Sequence, residues 1–503
     1  MQPLRNCEPD LDGIRQLFRI FQIVLARIQC NLKVWGLQLG MAIMNRILKA
    51  DFDWQRCPDA GRLVTERVEA VVADIPFASH LRDRMLNETG TRLMDWVDHL
   101  CLPANDPLSE RVSGVGYDLV VEGPKETVWR HPGALLPTIR VFDGSTTDVC
   151  LKVESVSDFL QAHSLAETAI CGVPMAPFRA ATVARSGRNQ MQVVERHGTA
   201  GFDDDEVSGE FIEALLDHDA AFCQRQREFC GGDTRCDEDP GFDHALELIK
   251  AASNDLGTDR ACDLFFKAER NYWQSRNHAA TVQKKRQDSL GLGWANHDHH
   301  TYRSSREHFG RLIELLEQIG FACRERFYGG ADAGWGAQVL EQPHAGIVIF
   351  ADVDLSATEM TGDFAHDGLS ARDELGTVGL WCRLHGEAIM KAGMHHLECQ
   401  FEFDAARSQL ASIGIDTMKP FTDFEHLKQA FTVGEVWGIT RGRAETLLQD
   451  GVISAEQFNH FIEQGSVGSH LEILQRDDGY KGFNQTGISE IIRATDPRHR
   501  RIG

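Results

Sequence analysis

The spacing of apolar residues separates a helical beginning from the rest of the chain. Ile14, Leu17 and Phe21 recur at helical spacing, which is the signature of a helix with one buried face. Gly and Pro stay sparse until Pro103. This pattern predicts a helical region over residues 1–110.

The two middle stretches differ from each other in periodicity. Residues 111–205 place short apolar runs between clusters of Gly, Pro and Asp, which predicts a mixed α+β module. Residues 206–290 return to helical periodicity, and the pair Gly291 and Gly293 breaks it. The α+β stretch faintly suggests a degenerate copy of the module described next, and we assign no chemistry to it.

The stretch from 291 to 503 contains an internal repeat. Asp298–Arg303 predicts a strand, and the helix that follows it ends at Gly320. Met394–Phe401 begins the same succession, whose helix ends at Gly414. A repeat on this scale indicates two copies of one unit. We therefore predict an α+β fold in which two βαβββ modules pair around a metal cavity.

The last third of the chain also has an interruption before its final strand. Residues 421–466 contain apolar residues at helical spacing, from Leu427 to Phe431 and from Ala444 to Leu448. This spacing predicts a helical insertion, which could cover the cavity or a sheet edge. The strand after it contains Glu472.

Polar side chains on the predicted strands are candidates for a site. Side chains alternate across a strand, so His396 and Glu398 share one face, as do His299 and Arg303 on the earlier strand. Glu472 lies among apolar residues. A carboxylate in such surroundings is costly to bury unless it is paired or bound to a metal.

Two histidines and one carboxylate on three strands leave one side of a metal ion open. This is the ligand set of non-heme Fe(II) oxygenases, and here it predicts His299, His396 and Glu472 as ligands. A strand register shifted by one residue would substitute His300 and His395. Another divalent metal also suits these donors, so the identity of the metal stays open.

The repeat resembles the vicinal oxygen chelate superfamily, whose metal lies between such modules. Within it, the chain resembles the 2-oxoadipate dioxygenase/decarboxylase (hydroxyglutarate synthase) family at three stations in the same order. These are His299 with Arg303 four residues later, His396 followed by Leu397, and the run Glu472–Arg476. The resemblance covers about residues 294 to 490.

The resemblance implies a specific chemistry for these stations. His299, His396 and Glu472 would hold Fe(II), O₂ would be a co-substrate, and a 2-oxo dicarboxylate would be oxidatively decarboxylated. Arg303 would bind a carboxylate of that small anionic substrate. The chain departs from the family in its large N-terminal region and at Cys399–Gln400, and both departures leave the substrate open.

Composition narrows the classes of function that remain. Lys and Arg total 52 against 75 Asp and Glu, a formal charge of −23. Such a charge disfavours nucleic acids and anionic membranes as partners. The 13 cysteines form no compact framework, and no secretory leader or apolar span is evident. We therefore predict a soluble cytoplasmic protein of undetermined oligomeric state.

Three functions are compatible with these patterns. The first is a non-heme Fe(II)-dependent dioxygenase that acts on a 2-oxo acid or a similar chelating substrate and uses no organic cofactor. The second is a metal-dependent isomerase or lyase of the same fold, with Glu398 or Glu341 as a proton shuttle and no use of O₂. The third is a noncatalytic protein that binds a small ligand.

Overall fold

Two mixed β-sheets with helices packed against them organise the chain. The computed structural model describes residues 54–165, 170–202, 207–228, 238–330, 333–372, 374–484, 491–492 and 495–498. The helix predicted near Ile14 lies outside these residues. Within them, no helix has the length and apolar character needed to cross a membrane.

Helices precede each sheet and connect its strands. In chain order they are α1 (Pro58–Asp74), α2 (Pro76–Arg84), α3 (Val156–Ala162), α4 (Gly209–Glu228), α5 (Glu238–Leu256), α6 (Thr258–Ser275), α7 (His278–Asp288), α8 (Phe309–Gln318), α9 (Thr377–His385), α10 (Phe403–Ala411), α11 (Arg441–Gln449) and α12 (Ala455–Gln464). Helix α8 shows why they form, since Phe309, Leu312, Ile313 and Leu316 make one buried stripe.

The first sheet has eight strands. In chain order they are β1 (Val97–Pro103), β2 (Asp118–Glu122), β3 (Glu126–Arg130), β4 (Thr138–Phe142), β5 (Thr147–Lys152), β6 (Ile170–Cys171), β7 (Phe178–Ser186) and β8 (Asn189–Arg196). Their order across the sheet is β2-β3-β4-β1-β5-β8-β7-β6. Strands β1 and β5 pair antiparallel at the centre of the sheet and divide it into two halves, β1–β4 and β5–β8. On its other side β1 pairs parallel with β4, and β5 pairs parallel with β8.

The second sheet has nine strands. In chain order they are β9 (His297–Arg303), β10 (Ala322–Tyr328), β11 (Trp335–Gln342), β12 (Ile347–Asp354), β13 (His396–Gln400), β14 (Thr422–Phe424), β15 (Leu427–Phe431), β16 (Glu435–Trp437) and β17 (Ser466–Arg476). Their order is β10-β11-β12-β9-β13-β17-β15-β14, and β16 pairs with β17. This order confirms the two paired βαβββ modules predicted from the repeat.

The same connectivity occurs in both halves of both sheets. In every half the first strand lies at the centre, the last lies parallel beside it, and the other two continue toward the edge. Two halves depart slightly. Only a helical turn, Ser113–Val115, separates β1 from β2, and the last half has β16 as an additional strand that pairs with β17. The described residues therefore contain four related modules.

Each sheet has its own apolar core. The first sheet packs with α1, α2 and α3. Side chains of α4 to α8 join those of the second sheet in the largest core. Phe266 of α6, for example, contacts Tyr302 of β9, with ring centroids 6.3 Å apart.

Residues 421–466 differ from the predicted helical insertion. Helices α11 and α12 lie there, but the first part forms β14, β15 and β16. Leu427, Ala430 and Phe431 satisfy both helical spacing and burial in a short strand, and periodicity alone does not separate the two. Pairing of β15 with β17 decides in favour of the strand.

The region predicted to be helical up to residue 110 also contains a strand. Helices α1 and α2 agree with the prediction, whereas β1 begins at Val97. Most of β1 is buried on both faces. A strand covered on both sides lacks the alternation of polar and apolar residues that marks a half-buried strand.

Candidate metal centre

Three neighbouring strands bring His299, His396 and Glu472 together. These residues lie on β9, β13 and β17, and one donor atom from each lies within 4.8 Å of the others. Register explains the convergence, because Glu398 of β13 pairs with His299 on one side and with Glu472 on the other. Paired residues point to the same side of a sheet. Here that side is the one opposite the helices.

The contacts among these donors are close. His396 Nε2 lies 3.2 Å from Glu472 Oε2. The rings of His299 and His396 have their centroids 6.1 Å apart. All three side chains are buried, so their polar atoms face one another rather than water.

A second buried carboxylate, that of Glu398, joins the cluster. One of its oxygens contacts Nδ1 of His299. Gln429 of β15 donates from Nε2 to Oε1 of Glu398 and to Oε1 of Glu472, each at 3.1 Å. Asp298, His299 and Glu398 therefore form a second trio of potential ligands that shares His299 with the first.

Asp298 orients the ring of His299. Its Oδ2 lies 3.1 Å from His299 Nδ1 and accepts a hydrogen bond of 3.2 Å from Nη2 of Arg476. A carboxylate on one ring nitrogen fixes the tautomer and the orientation of a histidine ligand. The Arg476 guanidinium is the main charge that holds the pKa of Asp298 below its usual range despite burial.

The electrostatics of the cluster suit a divalent cation. Burial lowers the pKa of His299 and of His396, which keeps both imidazoles in the neutral form that metals bind. Burial raises the pKa of Glu472 to about 8 and also raises that of Glu398. Within the described residues, Oε2 of Glu398 makes no hydrogen bond of good geometry. A cation among these donors would supply the missing counter-charge.

The neighbouring histidines behave differently from each other. His300 faces the helices, where its ring lies 5.4 Å from that of Phe266, as strand alternation requires. His395 does not turn away, because it precedes β13. Its Nδ1 lies 2.9 Å from Nδ1 of His396. Side-chain alternation therefore separates His300 from the candidate ligands but does not separate His395 from them.

Arg303 lies at the far end of β9, on the same side as His299. Its side chain is 2% exposed and lines a small inner cavity together with His299, His396 and Glu472. Asp352 pairs with it across β9 and β12. Among the residues that the structure describes, Arg303 Nε has no hydrogen-bond partner.

Two cavities meet at His299. The inner one, of about 40 Å³, contains the candidate ligands and Arg303. The outer one, of about 1350 Å³, is lined by residues of both sheets, and its lining has more Lys and Arg than Asp and Glu. Phe350 and Phe483 line both cavities and contact each other with ring centroids 4.7 Å apart.

Sequence reasoning missed two members of the cluster. Gln429 fell within the segment predicted to be helical. Asp298 directly precedes His299, and Asp98 precedes His99 in the same way at the start of the first sheet. That repeated pair of residues was a signal that could have identified Asp298.

Comparisons with known proteins add distant structural likenesses. No protein-family model matches the chain, and no curated protein matches it in sequence. It is similar to a mutant of 4-hydroxymandelate synthase from Streptomyces coelicolor, with 12% identity over 80% of this chain and 98% of that one, and a TM-score of 0.26. It is also similar to methylmalonyl-CoA epimerase from Mycobacterium tuberculosis, with 13% identity over 36% of this chain and 88% of that one, and a TM-score of 0.21.

A third likeness is to the uncharacterized protein YdcJ from Shigella flexneri, with 12% identity over 58% of this chain and 85% of that one, and a TM-score of 0.23. We assign the fold from the strand order and not from these likenesses. Paired βαβββ modules with this order form a vicinal oxygen chelate-like fold.

Proposed function

We propose that the chain is a non-heme Fe(II)-dependent dioxygenase that acts on a 2-oxo acid, with His299, His396 and Glu472 as metal ligands. The observation that supports this most directly is the convergence of these three buried donors from three neighbouring strands. Bound Fe(II) would supply Lewis acidity and activate O₂. Three protein ligands leave positions for a chelating substrate.

The position of Arg303 favours a 2-oxo dicarboxylate as the substrate. Arg303 is four residues beyond His299 on β9, about 13 Å along a strand, and its long side chain lines the same cavity. Its guanidinium could pair with the far carboxylate while the 2-oxo acid end meets the ligands. The 2-oxoadipate dioxygenase/decarboxylase family, which the chain resembles, decarboxylates such a substrate oxidatively.

The outer cavity suits delivery of an anionic substrate. Basic side chains outnumber acidic ones in its lining, although the chain as a whole carries a charge of −23. The excess is eleven Lys and Arg over nine Asp and Glu, so the lining repels an anion less than the surface of the chain as a whole does. Phe350 and Phe483, which separate this cavity from the inner one, would exclude water from the ligands.

Glu398 supports a second candidate, a metal-dependent isomerase or lyase. It is fully buried beside the proposed ligand His299 and is held by Gln429. A carboxylate so placed could accept and return a proton of a bound substrate without O₂.

Metal analysis and O₂ uptake test the proposal. Protein reconstituted anaerobically with Fe(II) should bind one iron per chain and consume O₂ when a 2-oxo dicarboxylate is added. His299→Ala, His396→Ala and Glu472→Ala should each lose the iron. His300→Gln, a change to the neighbouring residue on the opposite face of β9, is the matched control and should retain it.

Two results would contradict the dioxygenase. If the iron content were unchanged in all three alanine variants, His299, His396 and Glu472 would not be the ligands. Bound metal with turnover of substrate but no O₂ consumption would favour the isomerase or lyase instead.

A further inference from the structure

The centre of the first sheet repeats the arrangement of the candidate metal centre. Strands β1 and β5 pair with the register of β9 and β13, so His99 opposite Cys150 corresponds to His299 opposite Glu398. The residue before each histidine is an aspartate, Asp98 in one sheet and Asp298 in the other.

The groups that orient His99 also correspond. Asp98 Oδ2 lies 2.6 Å from His99 Nδ1. Arg196, at the end of β8, donates from Nε and Nη2 to the two oxygens of Asp98 at 2.8 and 2.9 Å. Arg476, at the end of β17, makes the equivalent bond to Asp298. His99 is therefore held as a histidine ligand is held.

The donors around His99 differ from those around His299. The register places Asp148 at the position of His396 and Gln192 at that of Glu472. The first sheet consequently lacks the ligand set of two histidines and one glutamate. The first sheet has two thiols near His99 instead. Cys150 is at the position that corresponds to Glu398, and Cys101 lies directly opposite Asp148.

These side chains form a compact buried cluster. One donor atom from each of His99, Cys101 and Cys150 lies within 4.8 Å of the others, and the three residues are buried. Asp148 is on the same side of the sheet. Its Oδ2 accepts a hydrogen bond of 2.8 Å from Gln192 Nε2, whereas Oδ1 is buried and accepts none of good geometry within the described residues.

We propose that His99, Cys101 and Cys150 bind a thiophilic divalent ion, Zn²⁺, with Asp148 in reach of the fourth position. Two thiolates and an imidazole are typical zinc ligands. The two thiol protons leave to solvent when the ion binds. Phe178 and Phe202 cover His99, with ring centroids 6.3 and 4.8 Å away. This enclosure favours a structural ion over a catalytic one.

Cobalt absorption isolates this site from the other one, since only a thiolate gives a sulfur-to-cobalt charge-transfer band. The reduced full-length chain, stripped of metal and titrated with Co²⁺, should show that band, and Zn²⁺ should abolish it. Cys101→Ser and Cys150→Ser should each lose one equivalent of tightly bound zinc and at least half of the band, and the double variant should lose the whole band. Cys399→Ser, which removes a buried thiol from the core face of β13 in the second sheet, is the control and should keep both.

The folding of each variant is checked by circular dichroism. If a serine variant does not fold, X-ray absorption of the zinc-loaded wild-type chain decides, because sulfur in the zinc shell is expected. Absence of the band from reduced wild-type protein, a band of undiminished intensity in both serine variants, or a Cys101–Cys150 disulfide in place of metal would each overturn the proposal. None of these results bears on iron at His299.

Discussion

A single side-chain amide, that of Gln429, joins the two buried carboxylates of the candidate metal centre. Its Nε2 donates to Glu398 and to Glu472 at 3.1 Å each. Two carboxylates on adjacent strands repel each other, and a shared donor offsets part of that repulsion. Gln429 therefore controls how these oxygens are aimed.

We expect Gln429→Leu to weaken metal binding. The substitution leaves both carboxylates without their donor, and loss of such a supporting partner costs about 10- to 100-fold in metal affinity. Metal titration of the variant measures the change. Gln338→Leu is the control, since Gln338 is also buried but donates to the backbone carbonyls of Glu325 on β10 and Val339 on β11. Unchanged affinity in Gln429→Leu would mean that the amide does not orient the ligands.

We expect Arg303→Gln to discriminate between substrates. Loss of a charged hydrogen-bonding group from a buried carboxylate should raise KM for a 2-oxo dicarboxylate by about 10- to 100-fold. KM for a 2-oxo monocarboxylate of similar size should change little, because it has no second carboxylate to pair. Steady-state O₂ consumption with both substrates measures the effect. An equal rise for both would assign Arg303 to folding rather than to recognition.

At the scale of the element, strand β13 divides two environments. His396 lines the inner cavity and Glu398 lies on the same face of the strand, whereas Leu397 and Cys399 are buried in the core shared with the helices. Alternation of side chains produces this division. It also makes the two faces of the strand separable by mutation.

Leu397→Ala should destabilise the protein without removing its metal. A leucine that is 0% exposed leaves a cavity when truncated, at a cost of about 2 to 5 kcal/mol. Chemical denaturation measures this loss of unfolding free energy, and metal analysis of the folded variant should give wild-type stoichiometry. Loss of metal from well-folded Leu397→Ala would show that the two faces are coupled.

Sequence patterns predicted the strands that belong to the repeat. They missed the strands whose formation depends on pairing with a distant segment of the chain. The strands around His299 and His396 were predictable, because each begins a copy of the same strand, helix and turn. Strand β15 was not, since Leu427–Phe431 suits a helix as well until β17 pairs with it. Gln429, a partner of the candidate ligands, reaches them only because β15 pairs with β17. It could not be identified while this segment was predicted to be a helix.

At the scale of the whole molecule, the second sheet depends on helices that precede it in the chain. Residues of α4, α5 and α6 belong to the same core as the strands that carry the candidate ligands. The predicted domain 291–503 omits these helices. The boundary at residue 291 therefore stays a prediction, and the shared core favours a boundary nearer the N-terminus.

A fragment of residues 291–503 should not fold by itself. Without α6 it exposes the surface that Phe265 and Phe266 cover in the intact chain, and an apolar area of that kind promotes aggregation. Circular dichroism and gel filtration test the fragment against one of residues 207–503, which keeps the helices. A monomeric, cooperatively unfolding 291–503 fragment would contradict this dependence.

The central strand pair of each sheet also has an evolutionary consequence. A scaffold that exists twice in one chain lets either copy exchange its donors while the other retains its own, because backbone pairing fixes where the side chains meet. His99, beside two cysteines, and His299, beside His396 and Glu472, would then be descendants of one ancestral position. Divergence of this kind changes the ion that a sheet selects and leaves its architecture intact.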